Sequence, residues 1–92
     1  MSVRVRFFAR FREIFGTEIV DEPAAGATLA TVIREIAVTK KEGQDAIFDE
    51  RGAFREFVIL MQNGCRIDTA DAGKTPVNDG DEIAIFPPVA GG

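Results

Sequence analysis

The residue types that the sequence lacks exclude most kinds of catalysis. It contains no histidine, no tryptophan and no tyrosine, and its one cysteine is Cys65. Without imidazole there is no histidine general acid or base, and no Ser–His or Cys–His nucleophile pair. A single thiolate without histidine also excludes nearly every zinc site, so we predict no metal site. Because a lone cysteine cannot form an internal disulfide, nothing indicates a secreted disulfide scaffold.

Basic residues are outnumbered, and the imbalance lies in one half of the chain. The 92 residues include 11 lysines and arginines against 15 aspartates and glutamates, and the whole net charge of −4 arises in residues 47–92. Such a surface repels phosphate backbones and anionic lipids. We therefore expect neither nucleic acid nor a membrane as a partner.

Long hydrophobic runs are also missing. The longest uncharged stretches, residues 23–33 and 83–92, are far shorter than the ~20 apolar residues of a membrane-spanning helix. Arg4 and Arg6 interrupt the first residues, which therefore lack the apolar centre of a signal peptide. We expect a cytoplasmic protein.

The apolar residues that are present follow clear periodicities near the start of the chain. Residues 3–7 alternate between apolar and polar side chains, which predicts a half-buried strand. Residues 9–15 change to three- and four-residue spacing, which indicates a short helical turn ended by Gly16. Residues 18–21 are predicted to return as the hairpin partner of the first strand.

One longer helix is predicted next. Thr28 is a suitable N-cap, and an apolar stripe at helical spacing follows it, formed by Leu29, Val32, Ile33, Ile36 and Ala37. We expect this helix to fade near Lys40 and Lys41, whose cations suit a helix C-terminus, with Gly43 just beyond.

The second half is rich in strand and turn signals. Residues 57–61 form a continuous apolar run, typical of a central strand. Asn63-Gly64 predicts a tight hairpin turn, with residues 65–67 as the short partner strand. Residues 82–86 alternate again and predict a last strand. Residues 44–56 are too apolar for a free loop, and we expect a folded connection there.

Two strands, one helix and then further strands predict an α+β protein. A right-handed crossover through that helix gives the ubiquitin-like β-grasp arrangement, a mixed sheet of four to five strands packed on one main helix. We place this single domain at residues 1–86. Because one helix covers one face of the sheet, the other face is either solvated or a docking surface.

The last residues carry the strongest functional signal. After Phe86 come Pro87 and Pro88, which end the sheet and favour a stiff extended spacer, followed by Val89, Ala90, Gly91 and Gly92. We predict that residues 87–92 form a flexible tail. Glycines have no Cβ, so such a tail suits insertion of the Gly92 carboxylate into a narrow active site of another protein. A merely frayed terminus is the alternative interpretation.

Two segments resemble a known family. Residues 5–16 (VRFFARFREIFG) look like the opening of the molybdopterin synthase small subunit, and residues 79–92 (DGDEIAIFPPVAGG) are similar to its C-terminal signature. That family consists of β-grasp sulfur carriers. The Gly-Gly end also resembles the small archaeal ubiquitin-like modifiers and, more distantly, the thiamin sulfur carrier.

The resemblance implies a function without catalytic side chains in this chain. A ubiquitin-activating-type enzyme would adenylate the carboxylate of Gly92 with ATP and Mg, and sulfur would then replace AMP to give a thiocarboxylate. The large subunit of molybdopterin synthase would receive the tail in a heterotetramer, and the sulfur would pass to the pterin precursor of the molybdenum cofactor. This chain would bind no cofactor and would be the non-catalytic, sulfur-carrying subunit.

The resemblance also suggests partner-binding residues and leaves alternatives open. Phe86, before the paired prolines, is the first candidate for docking on the partner, and Phe8 is the second, on the same face. Packing within the domain is the alternative for both. Arg4 and Arg6 stand where relatives often have more apolar residues. The acidic second half suggests a basic surface on the activating enzyme. The alternative functions are a protein modifier joined through Gly92 to substrate lysines, or a sulfur carrier for tRNA thiolation or thiamin.

Overall fold

The computed structural model describes residues 1–88, which form one mixed sheet with helices packed against it. In chain order the elements are β1 (Val3–Phe7), α1 (Ala9–Phe15), β2 (Glu18–Asp21), α2 (Leu29–Ala37), α3 (Lys41–Ile47), β3 (Ile59–Gln62), β4 (Cys65–Ile67), a 3-10 helix (Thr69–Lys74) and β5 (Glu82–Phe86). The five strands lie in the order β2-β1-β5-β3-β4. The α+β architecture agrees with the prediction.

The centre of the sheet is a parallel pair, and this pairing sets the two ends of the molecule. Strands β1 and β5 run parallel, with Arg4 opposite Glu82 and Phe7 opposite Ile85. The remaining neighbours, β1 with β2, β3 with β5 and β3 with β4, are antiparallel. The amino terminus therefore lies where β5 begins, and Pro87 leaves from the opposite end.

One face of the sheet packs on α2 and forms the core. The inward residues of the central strands are almost completely buried, as are the stripe residues of α2: Val3, Val5, Phe7, Leu60, Ile83, Ile85, Leu29, Val32, Ile33, Ile36 and Ala37. Each large side chain of this kind contributes roughly 1.5–3 kcal/mol when it leaves water. Phe11, Phe15 and Ile47 join the same core from α1 and α3, so the shorter helices support the main one.

The start of α2 agrees with the prediction, but its end does not. Thr28 is the N-cap, and its Oγ1 accepts a hydrogen bond from the backbone N–H of Thr31 at 3.3 Å. The helix ends at Ala37, before Lys40 and Lys41. The hydroxyl of Thr39 donates to the carbonyl of Ile36 at 2.6 Å where the chain turns. Lys41 then begins α3.

Gly43 is also not the helix-ending residue that the sequence suggested. It is buried inside α3 and faces the ring of Phe15, which stacks on Phe7 with centroids 4.8 Å apart. A Cβ on Gly43 would overlap the Phe15 ring. The glycine therefore permits a close approach of α3 to α1.

The apolar run at residues 57–61 is only partly a strand. Phe57 lies before β3 in a left-handed conformation (φ +68°) and its side chain is 72% exposed. The Val58 N–H donates to the Arg55 carbonyl at 3.3 Å, so a turn occupies this point of the chain. The prediction that a strand begins at residue 57 was wrong. An apolar run does not show where the preceding turn ends and the strand begins.

The other connections agree with the prediction. Asn63 and Gly64 have positive φ values of 51° and 82° and join β3 to β4 as a tight hairpin. Within residues 44–56, α3 is followed by a bridge between Phe48 and Phe54, whose ring centroids are 4.6 Å apart. In the part of the chain that the structure describes, no helix has the length and apolar character needed to cross a bilayer.

Candidate functional site

The face of the sheet turned away from α2, called the outer face below, is uncovered in the described structure. Strand registers place its members side by side: Arg4, Arg6, Glu18, Val20, Ile59, Met61, Arg66, Glu82, Ala84 and Phe86. In β5, Ile83 and Ile85 are buried, whereas Ala84 and Phe86 lie on the opposite face. This alternation agrees with the prediction from the sequence.

Phe8 and Phe86 meet at the end of this face. Their rings are stacked, with centroids 4.3 Å apart and an interplanar angle of 12°. Phe8 has an extended backbone because it caps α1 directly after β1 ends. The two residues singled out from the sequence therefore form one aromatic pair at the root of Pro87 and Pro88. Both rings remain partly exposed, and their docking role stays a prediction.

An open groove runs beside this aromatic pair. Its volume is about 1080 Å³, and its floor is apolar, formed by Phe8, Ile59, Met61 and Phe86. Helices α1 and α3 supply the walls, and Pro87 and Pro88 lie at its rim. Sequence reasoning missed Ile59 and Met61. All residues of their run are apolar, so polarity does not show which of them point away from the core. Their pairing with Phe86 and Ala84 in the sheet places both residues on the outer face.

Charged side chains border the apolar surface. The Arg10 guanidinium lies 3.9 Å from the Glu42 carboxylate at the groove. On the outer face, Glu82 lies between Arg4 and Arg6, with nearest nitrogen–oxygen distances of 3.7 and 3.5 Å. The guanidinium carbon of Arg6 is also 5.6 Å from the centroid of the Phe8 ring. A cation and an aromatic ring thus share one surface next to the tail root.

A buried carboxylate, which sequence reasoning also missed, holds the opposite end of β5. Asp81 Oδ1 accepts from Asn63 Nδ2 at 2.9 Å, while Oδ2 accepts from Gln62 Nε2 at 2.9 Å and from the Asn78 N–H at 2.8 Å. Burial alone raises the pKa of Asp81, but the hydrogen bonds from Asn63, Asn78 and Gln62 outweigh it and lower the pKa overall. This network ties the β3–β4 turn to the start of β5.

The lone cysteine is not among the predicted site residues, and only part of the predicted tail falls within the described residues. Cys65 is exposed at the start of β4, and within residues 1–88 no three acidic or cysteine side chains cluster in a way that would hold a metal ion. Val89, Ala90, Gly91 and Gly92 lie outside the described residues. The structure therefore places the root of the tail, Pro87 and Pro88, beside the groove.

Comparison with known proteins identifies relatives over the full length of the chain. A "Small archaeal modifier protein 3" from Haloferax volcanii is 34% identical, with both proteins covered completely. A "Molybdopterin synthase sulfur carrier subunit" from Escherichia coli K12 is 28% identical, with 98% of this chain and 99% of the relative covered.

Solved structures give the same picture. The crystal structure of SAMP1 from Haloferax volcanii superposes with a TM-score of 0.87 at 24% identity over all of both chains, which confirms the predicted ubiquitin-like β-grasp fold. A chain in the complex of subunits 1 and 2 of the molybdopterin-converting factor from Helicobacter pylori 26695 is 29% identical, with a TM-score of 0.62 and complete coverage of both chains. The profile of the ThiS family matches residues 5–92. The chain therefore belongs to the ThiS family.

Proposed function

We propose that this chain is a cytoplasmic sulfur carrier, the small subunit of a molybdopterin synthase, with Gly92 as the reactive residue. The observation that carries the proposal is the position of the tail root. Pro87 and Pro88 leave the sheet at an open apolar groove whose floor contains the stacked Phe8 and Phe86. A partner that covers this groove lies next to the point from which the tail departs. The relative named as a sulfur carrier subunit, and the similar chain in a complex of two molybdopterin-converting-factor subunits, support this interpretation.

The chemistry begins with activation of a poor electrophile. A carboxylate oxygen of Gly92 attacks the α-phosphorus of ATP on a ubiquitin-activating-type enzyme, and pyrophosphate leaves. Hydrosulfide from a sulfur donor then adds to the acyl carbon, AMP leaves with the bonding electrons, and loss of the S–H proton leaves a thiocarboxylate at Gly92. The enzyme supplies ATP and Mg, while this chain supplies the tethered reactant at a high effective concentration.

Delivery of the sulfur uses a second partner. We propose that the outer face docks first on the activating enzyme and then, in a heterotetramer, on the large subunit of molybdopterin synthase, which receives residues 87–92 in its active site. The thiocarboxylate sulfur forms a C–S bond to the pterin precursor and displaces an oxygen substituent there. Water then hydrolyses the resulting thioester, which restores the carboxylate of Gly92 and leaves a thiolate on the pterin. Pro87 and Pro88 favour an extended backbone, which suits a tail that reaches into a partner. Six residues at ~3.3 Å each reach about 20 Å.

The groove can be tested without touching the tail. Met61→Glu places a charge on the apolar floor, and we expect at least a tenfold loss of kcat/KM for thiocarboxylate formation with the activating enzyme, because docking buries that charge. Val38→Glu is the matched control, since Val38 is an apolar side chain that is 64% exposed outside the groove. Equal kinetics for both variants, with both folded by circular dichroism, would contradict docking through the groove.

A protein modifier is the second candidate, favoured by the relative named as a small archaeal modifier protein. In that role a substrate lysine amine attacks the same acyl-adenylate, and AMP leaves as an isopeptide bond forms at Gly92. An epitope-tagged chain expressed in its own host separates the two functions on immunoblots. Thiol-resistant species of higher mass support the modifier, whereas free chain together with a non-covalent complex supports the synthase subunit.

A further inference from the structure

The outer face differs in charge from the molecule as a whole. It carries three arginines, Arg4, Arg6 and Arg66, against two glutamates, Glu18 and Glu82. This face is therefore net positive by one charge in a chain whose net charge is −4. The charge near the apolar groove cannot be judged from the composition of the chain.

Two acids of the second half, Asp79 and Asp81, are not beside the tail root. Asp79 and Asp81 precede β5, at the end of the strand opposite Pro87, because β5 runs from Glu82 to Phe86. Asp79 Oδ1 accepts from the Ser2 N–H at 2.8 Å, and Asp81 is buried in its amide network. Asp79 and Asp81 therefore give no support to the expected basic partner surface, which stays a prediction.

The arginines of the outer face are only partly neutralised. Glu82 is shared by two guanidinium groups, whose side chains are 56% exposed for Arg4 and 44% exposed for Arg6. Within residues 1–88, Glu82 alone forms an ion pair with these cations, because Glu18, the cross-strand neighbour of Arg6, is not within ion-pair distance. Arg66 lies opposite Met61, and no acidic side chain of residues 1–88 forms an ion pair with it. The apolar centre of the outer face is thus flanked by cationic groups that remain available to a partner.

We propose that the outer face selects a protein surface with an apolar centre and a carboxylate facing the Arg4–Glu82–Arg6 cluster. This inference rests on the proposed function and specifies the chemistry of the partner at the same site. A guanidinium presents paired N–H donors that match a carboxylate, and charges at the edge of an interface set its association rate and register. The partner's acid completes the neutralisation that Glu82 leaves unfinished.

The two sides of the cluster give opposite predictions. Glu82→Gln removes the internal competitor, so association with the activating enzyme of the same organism should become about twofold faster at low salt, as one charge at ~10 Å in water implies. Arg4→Gln/Arg6→Gln should slow association about fourfold by the same reasoning. All rates should converge at ~1 M salt, where charges are screened within about 3 Å. Stopped-flow fluorescence of a dye-labelled Cys65 measures these rates.

A purely structural ion pair would behave differently. Removing either the glutamate or the arginines would then lower the free energy of unfolding, and all variants would associate at the same rate. Glu50→Gln and Arg51→Gln are matched controls on an exposed loop outside the groove. We expect neither the faster association of the glutamate variant nor the slower association of the arginine variant at this loop.

Three outcomes overturn the inference: slower association of Glu82→Gln, unchanged association of the double arginine variant, or differences that persist at high salt. Thiocarboxylate formation is measured on the same preparations. If the unaltered chain forms the thiocarboxylate while the charge variants associate at one common rate, only the inference fails. If the unaltered chain neither associates nor reacts, the proposed function fails as well.

Discussion

At the scale of single residues, side chains with defined partners hold both ends of β5. Asp81 satisfies three donors at the start of the strand, and the Phe8 and Phe86 rings stack at its end. The aromatic pair was predictable in part, because strand parity placed Phe86 on the outer face. The Asp81 network was not, because its donors Gln62 and Asn63 approach only when β3 pairs with β5.

Asp81→Asn tests this network. Both oxygens of Asp81 accept hydrogen bonds, so either orientation of an asparagine amide places its NH₂ against a donor. We expect the free energy of unfolding at pH 7 to fall by about 1–3 kcal/mol. Because the folded protein lowers the pKa of Asp81, the stabilisation is present above about pH 4 and is lost as the pH falls through the lowered pKa. Urea unfolding from neutral to acidic pH measures the difference.

The control for this experiment is Asp71→Asn. Asp71 is exposed, and its carboxylate lies 3.9 Å from Lys74, so its loss should change stability by less than about 1 kcal/mol. A difference between the unaltered protein and Asp81→Asn that stays constant into acid would show that the charge of Asp81 does not stabilise the fold.

At the scale of elements, the hydrophobic periodicity predicted α2 but not the boundary between α2 and α3, which depends on packing between helices. The apolar stripe of α2 was visible in the sequence, since Leu29 through Ala37 recur at helical spacing. The division between α2 and α3 was not, because Lys40, Lys41 and Gly43 equally suit a helix end. Only the contact of Gly43 with Phe15 shows that the glycine serves an approach of α3 to α1.

Gly43→Ala tests this approach. The new methyl group would overlap the Phe15 ring, so helix and ring must move apart, and we expect a loss of about 1–3 kcal/mol in the free energy of unfolding. Gly73→Ala is the matched control, since a Cβ there meets no atom within 4 Å, and its effect should be neutral or slightly stabilising. Equal stability of the two variants in thermal and urea unfolding would contradict the packing argument.

At the scale of the whole molecule, composition and fold answer different questions. The missing histidines and the single cysteine directed attention from side chains to Gly92, whose role stays a prediction. Net charge was a poorer guide, because a sum over the chain does not say which face each residue occupies. Arg4, Arg6 and Arg66 share a face with Met61 and Phe86 only after the strand registers are known.

The most direct test of the central claim is the mass of the chain after activation. The purified chain is incubated with its activating enzyme, ATP, Mg and a sulfur donor, beside a variant that lacks Gly92. We expect the unaltered chain to gain the mass difference of one sulfur replacing one oxygen, located at Gly92 by fragmentation, and the shortened chain to fold identically and gain nothing. A thiocarboxylate on the shortened chain, or sulfur located at Cys65 instead of Gly92, would contradict the account.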